Sequence, residues 1–142
     1  MVLAHKVFGV VAIVAAAAGG STAGVAGAEP GPDGRLYGSL ATETLGGVWR
    51  VMWAVDRTGW SESDDAALQH CRFGHCVVVA RFVDGCGSVA RRGSQLLGGI
   101  GSTREEAESA AVNAFAAPDV ASISAGSPNV LIVHTECTAN AG

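Results

Sequence analysis

The chain has 142 residues, 49% of them hydrophobic and 15% charged, with 13 acidic residues against nine basic ones and a net charge of −4. The arginines are scattered, and Arg91-Arg92 is their only adjacent pair. Since nucleic-acid binding needs clustered positive charge, this composition argues against a nucleic-acid partner.

Residues 1–28 have the organisation of a secretory signal peptide. Lys6 ends a short n-region, residues 7–18 form an apolar run, and Ala26-Gly27-Ala28 supplies the small residues that a signal peptidase recognises. The run is too short for a permanent membrane span, which needs about 20 residues. We therefore expect a soluble, secreted, extracellular protein that begins at Glu29; an uncleaved N-terminal anchor is the alternative.

The part that would remain, 29–142, contains all four cysteines, eight arginines and 13 acidic residues, so its formal charge is −5. Its length suffices for one small domain with little spare core, and covalent bracing should therefore matter. We expect a flexible N-terminal segment at 29–35, a single domain at 36–137 and a tail at 138–142.

A five-residue fragment occurs twice in this part. Tyr37-Gly38-Ser39-Leu40-Ala41 returns as Cys86-Gly87-Ser88-Val89-Ala90, and each copy precedes an apolar run, an acidic alanine-rich helix pattern and a closing apolar strand. The patterns predict strands at 36–42, 48–55 and 76–83 with a helix at 61–71, then strands at 86–91, 95–100 and 130–136 with a helix at 103–116. The predicted fold is α+β, with two pseudo-symmetric ββαβ units (36–83 and 86–137), mostly antiparallel sheet and two helices.

Both predicted helices begin with the spacing of a capping box. Ser61 precedes Asp64 by three residues, and Thr103 precedes Glu106 by the same interval. In such a box the hydroxyl accepts an early amide proton while the carboxylate reaches back, so each helix should start at that hydroxyl.

Three tryptophans are candidates for the core or for a contact surface. The strand at 48–55 is apolar on both faces for most of its length, which favours a central position in the sheet and burial of Trp49 and Trp53. Trp60 lies in the turn before the helix, so we expect it to be exposed and name it as a candidate contact residue.

The polar segment from Asp119 to Asn129 has no counterpart in the first unit. Long loops in compact domains are often functional or disordered, and we expect disorder here.

Four cysteines permit three pairings in an oxidising compartment. We favour Cys71 with Cys76, across the turn between a helix and a strand, and Cys86 with Cys137, which would tie the first strand of the second unit to its last. Loop-closure entropy gives about 4 kcal/mol for the larger loop and about 2 kcal/mol for the smaller.

Other chemistries fit the sequence less well. The pairs His70-Cys71 and His75-Cys76 could bind zinc together with Cys86, His134 and Cys137. Against this, the spacing differs from a C-x-x-C knuckle, and exported cysteines usually pair with each other. The glycines at 98–101 open onto a helix but lack the lysine of a phosphate-binding loop. The acidic pairs Asp64-Asp65 and Glu105-Glu106 are explained by their position in first helical turns, where carboxylates interact favourably with the helix dipole, and not by acid–base catalysis. We predict no metal and no cofactor.

The chain resembles the small exported domain of unknown function found in mycobacterial and other bacterial secreted proteins. The resemblance covers about 36–137. It is carried by the two copies of the repeated fragment, by Ala66-Ala67-Leu68-x-x-Cys71, Cys76-Val77-Val78-Val79-x-x-Phe82, Gly99-x-Gly101-Ser102-Thr103 with Ala107-Glu108, and the terminal Cys137.

This resemblance implies secretion, a compact α+β domain and contact with a host or neighbouring cell, and it implies no catalytic residues. Many members carry a further cysteine pair after the second helix. Phe115 and Asn129 occupy those approximate places here, so the second unit departs from the family pattern.

The sequence favours a non-enzymatic secreted interaction module whose protein partner is unknown, because no catalytic set converges in it. The alternative is a hydrolase that uses His70, His75 or His134 with a nearby carboxylate, which requires these histidines to meet in a pocket. A third option, a scaffold like that of a protease inhibitor, requires a rigid and exposed loop between Asp119 and Asn129.

Overall fold

The computed structural model describes residues 30–116 and 129–142. The predicted signal peptide and nearly all of the loop from Asp119 to Asn129 lie outside the described residues. The elements, in chain order, are β1 (Tyr37–Leu45), β2 (Val48–Arg57), α1 (Trp60–Leu68), β3 (Cys76–Val83), β4 (Cys86–Arg92), β5 (Gln95–Gly101), α2 (Arg104–Asn113), a 3₁₀ turn (Ala114–Ala116) and β6 (Leu131–Cys137).

The strands form two antiparallel three-stranded sheets with the same topology. The first sheet has the order β2-β1-β3 and the second β5-β4-β6, so the first strand of each unit is central in its sheet. Each sheet carries one helix that follows its second strand. The predicted α+β fold of two similar ββαβ units is confirmed.

The described residues are arranged as helix, sheet, sheet, helix. α1 packs on the first sheet through a cluster of Ala41, Met52, Ala54 and Ala67. α2 packs on the second sheet through a cluster of Ala90, Ala111 and Phe115. The inner faces of the sheets meet in a third cluster of Leu40, Ala80, Phe82 and Val89. Small alanines on both helices allow close packing on a sheet.

The prediction that the strand at 48–55 is central is wrong, because β2 lies at the edge of its sheet. β2 is apolar on both faces because both faces are covered. α1 packs on the face that carries Met52, and the second sheet packs on the face that carries Val51. In β2, apolar residues on both faces therefore result from burial between a helix and a sheet, and not from a position between two other strands. Trp53 is 46% exposed, so its predicted burial is also wrong, and Trp49 is half-buried.

The two helices begin differently from the prediction. Thr103 caps α2 by accepting from the amide of Glu106, but the Glu106 carboxylate reaches back to the amide of Ser102. α1 has Gly59 at its N-cap and no side-chain cap, so the predicted box at Ser61 is wrong. The equivalent of the Ser102 bond is present there, since Glu62 accepts from the amide and the hydroxyl of Thr58.

Disulfides join Cys71 to Cys76 and Cys86 to Cys137, the two pairs named above. The first closes the loop between α1 and β3, and the second links opposite residues of β4 and β6, whose Cα atoms lie 4.0 Å apart. In the described part of the chain, no helix combines the length and apolarity that crossing a membrane requires.

Candidate functional site

A groove of about 380 Å³ runs along the outer edge of the first sheet. It is lined by four consecutive residues of β2, from Arg50 to Trp53, and by His70, which follows α1. Successive side chains of a strand point to opposite faces. A hollow that touches all four therefore lies beside the backbone of the strand, and we call it the β2 groove.

The backbone of β2 is open along this groove. Among residues 30–116 and 129–142, β2 pairs with β1 alone. The strand spans Val48–Arg57 and contains neither proline nor lysine, residues that commonly block exposed edges. Within the described ranges, the amide and carbonyl groups on its outer side therefore have no strand partner.

One end of the β2 groove is lined by Arg50 and His70, and the Arg50 side chain is 34% exposed. Behind it, Glu43 of β1 is buried with its carboxylate 3.5 Å from the Arg50 guanidinium, and it accepts hydrogen bonds from the backbone amides of Arg72, at 2.9 Å, and Phe73. None of the described residues that line the groove is acidic.

The other end of the groove is aromatic. The Trp53 ring stacks on His134 of β6, with 4.2 Å between ring centroids and 33° between the planes. His134 Nε2 lies 3.1 Å from a Glu136 carboxylate oxygen and is buried without a hydrogen bond among the described residues. Beyond the opposite end of the groove, next to Arg50, Arg91 of β4 lies over Trp49 at 5.3 Å. These contacts join the two units beside the groove.

The cysteines do not form a metal site. Glu43, Cys71 and Cys76 place ligand atoms within 4.8 Å of one another, and this is the only such group in the described ranges. The sulfur atoms of Cys71 and Cys76 are bonded to each other, whereas zinc needs free thiolates.

The predicted histidine site is not assembled in the described residues. His70 is exposed just before the Cys71–Cys76 loop, His75 is exposed within that loop, and His134 is half-buried on β6. The hydrogen bonds found in the described part of the chain include none between a hydroxyl and the His134 ring. The His134–Glu136 contact therefore has a base and a carboxylate without an activated nucleophile.

The acidic residues Asp64 and Glu106 of the two helices have structural roles. Burial would raise the pKa of Asp64, but hydrogen bonds from Arg81 and from the hydroxyl of Ser39 outweigh it and hold the pKa below its usual value. The Ser102 hydroxyl likewise lowers the pKa of Glu106. Carboxylates held in the ionised form suit helix anchoring better than proton transfer.

Trp60 is 40% exposed and packs edge-on against Tyr37, with 4.7 Å between ring centroids. It lies at the start of α1 and does not line the β2 groove. Its predicted contact role remains a prediction.

The glycines of β5 are explained by packing. A Cβ on Gly99 would lie 2.1 Å from the Ala111 amide nitrogen, and one on Gly101 would lie 2.6 Å from that of Ala107. α2 therefore approaches the backbone of β5 directly, which only glycine allows.

A family model described as a domain of unknown function, DUF4189, matches residues 37–127, more than half of the chain. The chain belongs to this family. The resemblance to a mycobacterial domain of unknown function is confirmed by the proteins Rv1813c and MT1861 of Mycobacterium tuberculosis and Mb1843c of Mycobacterium bovis, all uncharacterized and each 40% identical over 77 residues. The match covers 54% of this chain and 51% of each relative, so the chain spans about half the length of the curated relatives it matches. No solved structure matches.

Sequence reasoning missed Glu43 and the open edge of β2. A signal for Glu43 exists, because it shares the strand face of Ser39 and Ala41, which packs under α1. A carboxylate at that position needs buried partners. No comparable signal marks an edge strand whose two faces are both covered.

Proposed function

We propose that this DUF4189 domain is a secreted, disulfide-stabilised binding module without enzymatic activity, and that a partner protein outside the cell contacts it at the β2 groove. The observation that carries this proposal is Trp53, a large aromatic side chain that is 46% exposed at an open strand edge. Exposed tryptophans are enriched among residues that dominate binding energy.

Export is the first part of the proposal. It is supported by the signal-peptide pattern of residues 1–28 and by two disulfides, which persist in oxidising compartments. Intact mass of the exported protein tests it: the chain should start at Glu29 and gain four hydrogens on reduction. A retained N-terminus or free thiols would contradict export in this form.

The contact surface is tested by site-specific photocrosslinking on the oxidised 29–142 protein. A photoreactive residue replaces exposed His70 in the groove or, as a control, exposed Glu105 on α2. The protein is then presented to intact host cells and to bacterial envelope fractions. We expect a discrete crosslinked species from position 70 and none from position 105. Equal labelling from both positions, or none, would reject the groove as the contact surface.

Side-chain variants separate the two exposed tryptophans. Trp53→Ala should abolish the crosslink from position 70, whereas Val112→Ala, which removes an exposed apolar side chain on α2, should preserve it. Trp60→Ala tests the second candidate contact. If Trp60→Ala alone abolishes the crosslink, the contact surface lies at the start of α1.

A further inference from the structure

We propose that the β2 groove binds an extended segment of the partner as an additional strand on the edge of the first sheet, and that this segment carries an acidic side chain at the Arg50–His70 end and an apolar side chain against Trp53. This inference rests on the proposed function and names the mode and chemistry of its contact.

The backbone argument comes from the position of the groove. It follows four successive residues of β2 on the side away from β1, where a strand presents its unpaired amide and carbonyl groups. Peptides that add a strand to such an edge gain affinity from main-chain hydrogen bonds and specificity from alternate side chains. A groove beside a strand backbone is the shape that this mode requires.

Charge complementarity selects the peptide. Arg50, whose side chain is 34% exposed, and His70 line one end of the groove, and none of the described lining residues is acidic, so this end favours an anionic side chain. At the other end the Trp53 side chain, 46% exposed, favours an apolar one. The preferred ligand is therefore an extended peptide that is acidic at one end and apolar beyond it.

The other sheet edges are poorer candidates. β5 contains Gly98, Gly99 and Gly101, which weaken strand pairing. β3 is also an edge strand, and its Val77 is 62% exposed, but its Arg81 is engaged with Asp64. β6 is the fourth edge strand, with Leu131 52% exposed, but the carbonyl of its Thr135 already accepts a hydrogen bond from Arg104. β3 and β6 are thus the competing edges, and the test must distinguish them from β2.

The test uses defined probes on the ¹⁵N-labelled, oxidised 29–142 protein. The acidic probe is an acetylated, amidated seven-residue peptide that alternates valine and threonine and ends in two glutamates. A second probe has lysines in place of the glutamates. A third keeps the acidic sequence but carries an N-methyl group on every amide between its residues, so neither edge of the peptide can donate the hydrogen bonds that strand addition needs.

We expect the acidic probe to shift the amide resonances of 50–53 and to slow the hydrogen exchange of the alternate amides in this stretch that point away from β1. The lysine probe should bind at least about tenfold more weakly because like charges then meet, and the N-methylated probe should not bind. Shifts that map to β3 or β6, or equal binding of the N-methylated probe, would overturn the inference.

A matched pair of histidine variants tests the charge argument without touching Glu43. His70→Glu should reverse the preference from the acidic to the lysine probe. His75→Glu adds the same charge at an exposed position outside the groove and should leave the preference unchanged. Identical behaviour of the two variants would contradict the assignment of the acidic end.

Failure here is separable from failure of the proposed function. If the crosslink from position 70 depends on Trp53 while every probe fails to protect 50–53, the partner binds through side chains and strand addition is wrong. If the crosslink is absent as well, the groove is not a binding site.

Discussion

Gly38 and Gly87, the second residues of the two copies of the repeated fragment, lie against opposite edges of the Phe82 ring. A Cβ on Gly38 would be 2.3 Å from Cε2 of that ring, and one on Gly87 would be 2.4 Å from Cε1. The fragments therefore meet through one aromatic side chain of β3. Glu136 of β6 takes the position equivalent to Phe82, opposite Gly87, so the symmetry of the two units is broken where they join.

Replacement of Phe82 by alanine should destabilise the domain strongly. The ring is 3% exposed and belongs to the core between the sheets, so the variant leaves a cavity that both sheets border. We expect a loss of about 3–5 kcal/mol in the free energy of unfolding, measured by urea denaturation under oxidising conditions. Phe73→Ala, at a 44% exposed phenylalanine, should change it far less. Comparable losses in the two variants would contradict this packing.

The glycine requirement should depend on Phe82. Gly87→Ala places a methyl group against the ring and should destabilise the domain by about 1–3 kcal/mol, the usual cost of overpacking. In a Phe82→Ala background the same change should cost less, because the ring is absent. A double-mutant cycle of urea unfolding measures this coupling, and additive effects would show that Gly87 is required for another reason.

The elements were predictable and the edges of the sheets were not. Strands β3 and β4 begin at the predicted residues, Cys76 and Cys86, because turn residues and cysteines mark where these strands start. The α2 cap at Thr103 was also predictable from local spacing. The open edge of β2 depends on which strands pair, which local periodicity does not encode. Alternation along β1 places Glu43 on the face under α1, but its hydrogen-bond donors come from a loop distant in sequence.

Glu43→Ala should weaken the domain because it removes the acceptor for two amides. Arg72 and Phe73 donate to this buried carboxylate, and a hydrogen bond to a charged group contributes about 1.5–3 kcal/mol. We expect a loss of about 2–4 kcal/mol for Glu43→Ala and a smaller loss for Glu43→Gln, which retains an acceptor oxygen. Urea unfolding measures both, with Glu105→Ala on the surface of α2 as the control. Equal losses for the alanine and glutamine variants would show that charge, not hydrogen bonding, dominates.

The two disulfides should contribute unequally. Cys86 and Cys137 close a loop of 51 residues and Cys71 and Cys76 one of five, so chain entropy gives about 4 and about 2 kcal/mol. Replacing both cysteines of a pair by alanine should therefore lower the free energy of unfolding more for Cys86–Cys137 than for Cys71–Cys76, as measured by urea unfolding. The opposite order would show that the loop around Glu43 contributes more than loop length predicts.

Asp84 should make the stability of the domain depend on acid. Its carboxylate lies in the turn between the units and accepts from the Leu36 amide at 2.9 Å, from the Asn140 side chain at 2.7 Å and from Arg35 at 2.9 Å. These bonds lower its pKa to about 2, with the Leu36 amide as the largest cause. Asp84 thus ties the segment before β1 and the chain after β6 to one turn.

The direction of the pH effect follows from this lowered pKa. In the unfolded chain the carboxyl has a pKa of about 3.9, so between about pH 4 and pH 2 the unfolded state binds a proton that the folded state does not. The stabilisation by Asp84 is therefore complete above this window and is lost as the pH falls through about 2.

Asp84→Asn removes the charge, and asparagine tolerates the left-handed backbone at this position, where φ is 48°. Urea unfolding at several pH values should show a shallower loss of stability on acidification in Asp84→Asn than in the parent, while Asp65→Asn, at an exposed position on α1, should keep the parent's slope. If the slopes of the Asp84→Asn variant and the parent coincide, the turn is held by its backbone and not by the carboxylate.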